Sequence, residues 1–243
     1  MTTVVISQPM LFPWPGFFEQ LQLADVFIHL DDVQFSKGSF TNRVQLQHGD
    51  ETRWLTVPLQ GKGSFQLIKD LRPANDSWRR DHVTALTSVL AAAPNCAEAV
   101  ALLREAYAED SVVDALIASI DASARKLGIG ADRSILKSSE MDVSGRSWQR
   151  VLDLVLSVGG TRYLTGHGAA EYLDHSAFEA AGVTVLYMDY SLTTWPRDGS
   201  TATPYLSVLD LIAWAGENAA SYLHPATLSW TEFLQKRELN NEQ

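Results

Sequence analysis

The sequence predicts an α/β protein with a mostly parallel, Rossmann-like sheet flanked by helices, into which a β-hairpin and a helical segment are inserted. Short β-branched runs, such as residues 4–6 and 183–187, alternate with segments of helical periodicity. A pair of alternating segments around a polar turn, followed by a long helical stretch, interrupts that order after the second strand. The hairpin and the helices therefore read as insertions into a parallel sheet.

The first elements follow from local chemistry. Residues 4–6 are β-branched and continuous, as in a buried parallel strand. Three prolines and Gly16 follow within a few residues, and Pro15 suits the first position of a helix. That helix ends at residues 24–25, and a second strand at 26–28 leads into Asp31 and Asp32.

The later elements are predicted from periodicity and from glycines at helix ends. They are a hairpin at 44–59, a short strand at 66–69, helices from about 76 to 127, a strand at 134–137, a helix at 146–158, strands at 162–164 and 183–187, and a helix at 207–215. The predicted organisation is an N-terminal α/β half (1–75), a helical segment (76–130), a C-terminal α/β half (131–235) and a disordered tail (236–243), all within one compact domain.

Composition narrows the class of protein. The chain has 243 residues, 46% of them hydrophobic and 20% charged, as expected for a soluble globular protein. No apolar run approaches the roughly 20 residues that span a bilayer, no signal peptide is evident, and a single cysteine fits the cytoplasm. The net charge of -10 disfavours a nucleic-acid partner, except a charged tRNA donor held by a local basic patch.

Polar residues after the predicted strands are the candidate site, because ligands of open α/β sheets bind outside the carboxyl ends of strands. Asp31 and Asp32 are the candidate catalytic residues, since a carboxylate can take a proton from an amine or hydroxyl. The alternative is that one caps a turn and the other pairs with Arg43. The candidate substrate-binding residues are Gln8, Trp14, Gln34, Lys37, Asn42, Arg43, Lys62, Gly166, His167 and Asp210.

Several of these candidates have an equally simple structural role. Gln8 can bond to backbone in the proline-rich loop, and Trp14 can be a core wedge. Lys37 and Lys62 can be solvated surface charges. Ser207, three residues before Asp210, matches a helix capping box rather than a nucleophile.

Other chemistries lack their usual signatures. No Cys or His cluster has zinc spacing, so no metal site is predicted, and no cofactor is identified. Cys96 and His29 lie in settings typical of packed residues. The chain has no phosphate-binding P-loop and no G-x-G-x-x-G after a strand.

Several blocks of the sequence resemble the WbqC-like family of bacterial proteins. They are QPMLFPWPGFF (8–18), ADVFIHLDDVQFSKGSFTNR (24–43), WLTVPL (54–59), SVGGTRYLTGHGAAEYLD (157–174) and PYLSVLDLIAWAG (204–216). The resemblance implies a place in the synthesis of O-antigen and other glycans, with glycine transfer as a suggested activity. A weaker likeness, to nucleotidyltransferases and class I synthetases, lacks their His-x-Gly-His motif, because residues 13–16 read Pro-Trp-Pro-Gly.

These observations lead to one main hypothesis and two alternatives. The main hypothesis is a transferase that moves a small acyl or aminoacyl group, such as glycyl, to an amine of an amino sugar, a nucleotide sugar or another biosynthetic intermediate. The first alternative is ATP-dependent activation through an acyl-adenylate, or nucleotidyl transfer. The second is a non-catalytic protein that binds an intermediate. In each case the expected partner is a small-molecule substrate, and no membrane is involved.

Overall fold

The fold is described from a computed structural model, which covers residues 1–49, 51–61, 64–130, 132–199 and 203–241. Its strands are β1 (Thr3–Ser7), β2 (Val26–His29), β3 (Arg43–His48), β4 (Glu51–Thr56), β5 (Ser134–Lys137), β6 (Arg162–Thr165), β7 (Thr184–Met188) and β8 (Thr227–Ser229). Its α-helices are α1 (Pro15–Gln22), α2 (Trp78–Val89), α3 (Cys96–Ala106), α4 (Val112–Lys126), α5 (Ser147–Ser157), α6 (His175–Ala180), α7 (Val208–Ala215) and α8 (Trp230–Asn241).

The predicted α/β class is confirmed by one six-stranded sheet in the order β5-β2-β1-β6-β7-β8. The first five of these strands are parallel, and β8 runs antiparallel to β7 at the edge. In the centre of the sheet Val4 lies opposite Val26 on one side and Tyr163 on the other. The continuous apolar character of β1 follows from burial on both faces.

Alternation along the strands divides the core into two clusters, one on each face of the sheet. Val5, Phe27 and Leu164 belong to the larger cluster, which includes residues of α1 to α4 and α7. Val4 and Tyr163 point the other way and belong to a cluster with residues of α5, α6 and α8. Helices therefore cover both faces, as a parallel sheet requires.

The chain between β2 and β5 contains the predicted hairpin and helices. Strands β3 and β4 pair antiparallel, which confirms the hairpin. The strand predicted at 66–69 is wrong: a single bridge joins Gln34 to Leu67, and a 3-10 turn follows at Ile68–Asp70. The turn forms because Leu71 N–H bonds back to the Ile68 carbonyl and ends the pairing.

Three C-terminal elements, α6, β8 and α8, have no counterpart among the predicted elements. The first two contain six and three residues, too few to show a period. Helix α8 is mostly polar and buries Phe233, and it extends into the range 236–243 that the sequence left without regular structure. Among the described residues, no helix combines the length and the apolar character needed to cross a membrane.

The strand order places a topological switch point at β1. The chain leaves β1 through α1 to β2 on one side, whereas β6, on the other side, is reached only after β5 and α5. Connections that diverge from neighbouring parallel strands leave a crevice outside their carboxyl ends, where ligands of this fold class bind. The expected site therefore lies beyond Ser7 and Thr165.

Candidate functional site

A cavity of about 300 Å³ lies at this switch point. Its walls come from the ends of β1 and β6, from the loop after β1, and from α1. The lining residues are Ile6, Ser7, Gln8, Met10, Trp14, Phe17, Gln20, Leu30, Tyr163, Thr165, Gly166, His167, Gly168, Ala169, Tyr172 and Tyr190. None of these described lining residues is Asp, Glu, Lys or Arg. The cavity is therefore aromatic and polar but carries no permanent charge, which suits a neutral ligand with several hydroxyl groups.

The loop after β1 brings Gln8, Met10 and Trp14 to the cavity and is held in place by distant side chains. Phe12 has a φ of 38°, a left-handed conformation that is strained for a bulky residue. Its N–H donates to Ser119 Oγ at 2.9 Å, and its carbonyl accepts from Ser207 Oγ at 3.0 Å. Because both backbone groups of Phe12 are bonded to buried hydroxyls, the strained turn is held where Met10 and Trp14 line the cavity.

Trp14 forms one wall through aromatic contacts. Its ring meets Tyr190 edge-on, with ring centres 4.7 Å apart, and lies 5.6 Å from Tyr205. The ring also covers Gly16, where an added Cβ would lie 2.1 Å from a Trp14 ring carbon. Gly16 is thus required by the position of Trp14, and the sequence order Trp-Pro-Gly reflects this contact.

His167 follows β6 and presents one basic nitrogen. Its Nε2 lies 2.8 Å from the carbonyl oxygen of Met188, so Nε2 carries the proton and donates it. In the neutral ring Nδ1 is then unprotonated and able to accept a proton. The ring is held between Tyr190 and Phe233, with centroid distances of 5.1 and 4.8 Å. Met188 and Phe233 therefore orient His167 from β7 and α8.

Hydrogen bonds within the protein orient the neutral polar side chains of the cavity. Gln20 donates from Nε2 to the Leu164 carbonyl at 3.1 Å, which orients its amide. The Tyr163 hydroxyl donates to Thr165 Oγ1 at 3.3 Å. Burial raises the pKa of Tyr190, and the nearby Glu19 carboxylate raises it further. The phenol of Tyr190 therefore stays protonated and serves as a hydrogen-bond donor.

Asp31 and Asp32 lie outside the cavity lining, in contact with the 3-10 turn that follows β5. Asp31 is 2% exposed, and it accepts from Ser139 N at 3.0 Å and from Ser139 Oγ at 2.6 Å. Asp32 accepts from Ser138 Oγ at 2.6 Å and forms a 2.6 Å ion pair with Arg150.

These contacts weaken Asp32 as a base. Burial acts to raise the pKa of Asp32, but hydrogen bonds from Arg150 and Ser138 prevail and hold it below its ordinary value. Both aspartates therefore make structural contacts with the turn after β5, as the alternative interpretation proposed. The ion-pair partner of Asp32 is Arg150 rather than Arg43.

Other predicted site residues also have local partners. Asn42 donates to the Val57 carbonyl at 2.8 Å within the hairpin. Arg43 bonds to the Gly38 carbonyl and lies over Trp54, and the ion-pair partner of Asp32 is Arg150 instead. Asp210 is fully buried: it accepts from Trp195 Nε1 at 2.9 Å and pairs with Arg197 at 2.9 Å. Gln34 and Lys37 are exposed and lie outside the cavity, and Lys62 lies outside the described residues.

The structure therefore brings together four predicted residues, Gln8, Trp14, Gly166 and His167. Sequence reasoning missed Tyr190, which lies two residues after the end of β7, as His167 lies two residues after the end of β6. It also missed the hydroxyls of Ser119 and Ser207 that hold the loop, because those bonds span 107 and 195 residues. Within the described part of the chain, no group of three or more His, Cys, Asp or Glu side chains is arranged to hold a metal ion.

Comparisons with known proteins identify a family and a relative of this chain. A family model described as the WbqC-like protein family matches residues 8–222. An uncharacterized protein of Mycobacterium tuberculosis is 28% identical over 228 residues, which cover 92% of this chain and 98% of that protein. No solved structure matches the chain.

Proposed function

Because the chain belongs to the WbqC-like protein family, we propose that the switch-point cavity is the active site of a transferase. The enzyme moves a small acyl or aminoacyl group, such as glycyl, to an amine of an amino sugar. The neutral, aromatic lining supports a sugar acceptor, since Trp14 offers an apolar ring face while Gln8, Gln20 and Thr165 offer hydrogen bonds to hydroxyl groups.

The observation that carries this proposal is the fixed tautomer of His167. Its Nε2–H is committed to the Met188 carbonyl, so the unprotonated Nδ1 is the basic nitrogen among the residues lining the cavity. A histidine oriented by a second group is the usual form of a general base at neutral pH. The role expected of an aspartate is thereby filled by an imidazole.

The proposed reaction needs one proton acceptor and one activated donor. The acceptor amine attacks the carbonyl carbon of the donor, and a C–N bond forms. The amine proton passes to His167 Nδ1, and the bond from the acyl group to its leaving group breaks. His167 then returns the proton to the leaving group. Tyr190, whose phenol stays protonated, supplies a hydrogen bond to a developing negative charge.

Asp32 is the competing candidate for the base. Its lowered pKa and its ion pair with Arg150 make it a weak proton acceptor. Side by side, the variants His167→Gln and Asp32→Asn separate the two assignments. We expect His167→Gln to lower turnover by about 10²–10⁴-fold, the usual contribution of a general base. Turnover by the folded fraction of Asp32→Asn should remain close to wild type.

The test is a mass-spectrometric screen for amide products. The purified protein is incubated with glycyl and acetyl donors and a panel of amino sugars and nucleotide-linked amino sugars, with His48→Gln, an exposed histidine, as the matched control. A product formed by wild type and His48→Gln but lost in His167→Gln supports the proposal. Pyrophosphate release from ATP would favour the adenylating alternative, and tight binding without any product would favour a binding protein.

A further inference from the structure

The segment of residues 33–73 differs in charge from the rest of the chain. It contains six Lys or Arg and three Asp or Glu, whereas the whole chain contains 19 and 29. This segment includes the β3–β4 hairpin and the two stretches that flank it. This segment of an acidic protein is therefore locally basic.

Pairing within this segment gathers cations and aromatic rings at one end. Gln34 is bridged antiparallel to Leu67, and Phe35 N–H donates to the Gln66 carbonyl at 2.8 Å. Continuing this register places Ser36 opposite Phe65, which is 69% exposed, and the exposed Lys37 follows Ser36. The exposed aromatic ring and the exposed cation thus share one end of the pairing.

A second cation and ring continue this surface. Arg43 bonds to the Gly38 carbonyl, one residue after Lys37, and its guanidinium lies 4.0 Å from the ring centre of Trp54. Trp54 is 40% exposed, and its ring centre is 5.5 Å from that of Phe40. We call Lys37, Phe40, Arg43, Trp54 and Phe65 the aromatic platform.

The aromatic platform adjoins the loop that lines the cavity. Leu11 N–H donates to the carbonyl oxygens of Phe40 and Thr41, at 3.4 and 3.1 Å. Met10, the preceding residue, lines the cavity. The cavity lining and the aromatic platform are therefore joined through the backbone of Met10 and Leu11.

We infer that the aromatic platform binds the nucleoside diphosphate part of the acceptor, whose sugar end enters the cavity. The cavity lining has no Lys or Arg to pair with phosphate, whereas the platform offers Lys37 and Arg43. Exposed aromatic rings stack on nucleobases, and cations beside them pair with phosphate oxygens. The net charge of -10 opposes a long nucleic acid but tolerates a single diphosphate. This inference depends on the proposed function only for the statement that the cavity binds the sugar.

Calorimetric titration with UDP and ADP tests the platform without any turnover. We expect both nucleotides to bind wild type and to bind Trp54→Leu about tenfold more weakly, since a stacked base contributes at least that much. Lys37→Gln should weaken binding as well. Arg104→Gln, which removes an exposed cation on α3, is the matched control and should bind like wild type.

Three outcomes would overturn the inference. The first is no binding of either nucleotide at millimolar concentration. The second is equal binding of inorganic tripolyphosphate with no effect of Trp54→Leu, which indicates an anion site without base stacking. The third is much tighter binding of a single-stranded RNA oligomer, which indicates a nucleic-acid surface. If UDP fails to bind while transfer to a free amino sugar is observed, the inference falls and the proposed function stands.

Discussion

Single side chains determine whether the cavity keeps its shape. Gly16 leaves room for Trp14, His167 is fixed by one backbone carbonyl, and Phe12 accepts a strained φ of 38° between two hydroxyls. The conditions on His167 and Phe12 are hydrogen bonds to residues distant in sequence, whereas the condition on Gly16 is steric and comes from Trp14, two residues away. Substitutions at such positions are expected to act on the site through geometry.

Gly16→Ala places a Cβ about where the Trp14 ring lies, because the two positions are 2.1 Å apart. Alanine favours a helix over glycine, yet we expect a loss of about 1–3 kcal/mol in unfolding free energy from overpacking. Near-ultraviolet circular dichroism should report the displaced indole. Gly168→Ala, at the cavity rim with nothing within 4 Å of its added Cβ, should leave the spectrum and stability unchanged. Similar behaviour of both variants would contradict the packing argument.

His29 tests the cost of a buried imidazole. It is 1% exposed, and neither ring nitrogen has a hydrogen-bond partner among the described residues. Burial lowers the pKa of His29 to about 4; the nearby Asp31 opposes this shift, and Lys137 adds to it. Between this pKa and the value of 6.5 in the unfolded chain, the unfolded state binds more protons, so stability falls as pH falls.

Urea unfolding of wild type and His29→Leu at several pH values between 4 and 7 measures this effect. The wild type should lose about 3 kcal/mol relative to the variant as the pH falls through this window. The opposite pH dependence from Asp210, whose pKa burial raises to about 6, is present in both proteins and cancels in the difference. Parallel curves for the two proteins would show that His29 finds a partner.

At the scale of elements, the connection after β6 carries His167, and two further connections carry the aromatic wall of the site: the loop after β1 and the segment between β7 and α7. The first is tied to α4 through Ser119 and to the start of α7 through Ser207. The second begins at Tyr190, reaches Trp14 through Tyr205, and is anchored where Arg197 and Asp210 pair. Helices far from the strand ends therefore hold the cavity walls.

Ser119→Ala should destabilise the loop after β1. The substitution leaves the buried Phe12 N–H without an acceptor, which costs about 1–3 kcal/mol in unfolding free energy. Ser123→Ala, in the same helix and equally buried, removes only a bond to the Ser119 carbonyl within the helix and is the control. Denaturant unfolding compares the two, and equal losses would mean that Ser119 does not anchor the loop.

Asp210→Asn should release the segment between β7 and α7. It leaves the buried guanidinium of Arg197 unpaired, and breaking such a pair costs about 3–5 kcal/mol. The double variant Arg197→Met with Asp210→Leu removes both charges and should recover much of that stability. Limited proteolysis within residues 189–206 provides the second readout. Cleavage of the single variant no faster than that of wild type would contradict the anchoring role.

At the scale of the whole molecule, the parallel sheet and the hairpin follow from patterns that are local in sequence. The run at residues 4–6 and the turn-flanked segments at 44–59 are recognisable from the local sequence alone. Gln8, Trp14, Gly166 and His167 were predicted from their positions after strands, and these four residues line one cavity. The role of the aspartates is different. Ser138, Ser139 and Arg150 reach them across more than a hundred residues, and no local pattern shows such contacts.

The most direct measurement is a crystal structure of the protein with the acceptor that the transfer screen identifies. The account predicts a sugar in the cavity between Trp14 and His167, with its amine about 2.6–3.2 Å from His167 Nδ1, the reach of a general base. A ligand bound instead against Asp32 and Arg150, with the cavity empty, would contradict the account. That result would assign the role of general base to Asp32, which follows β2.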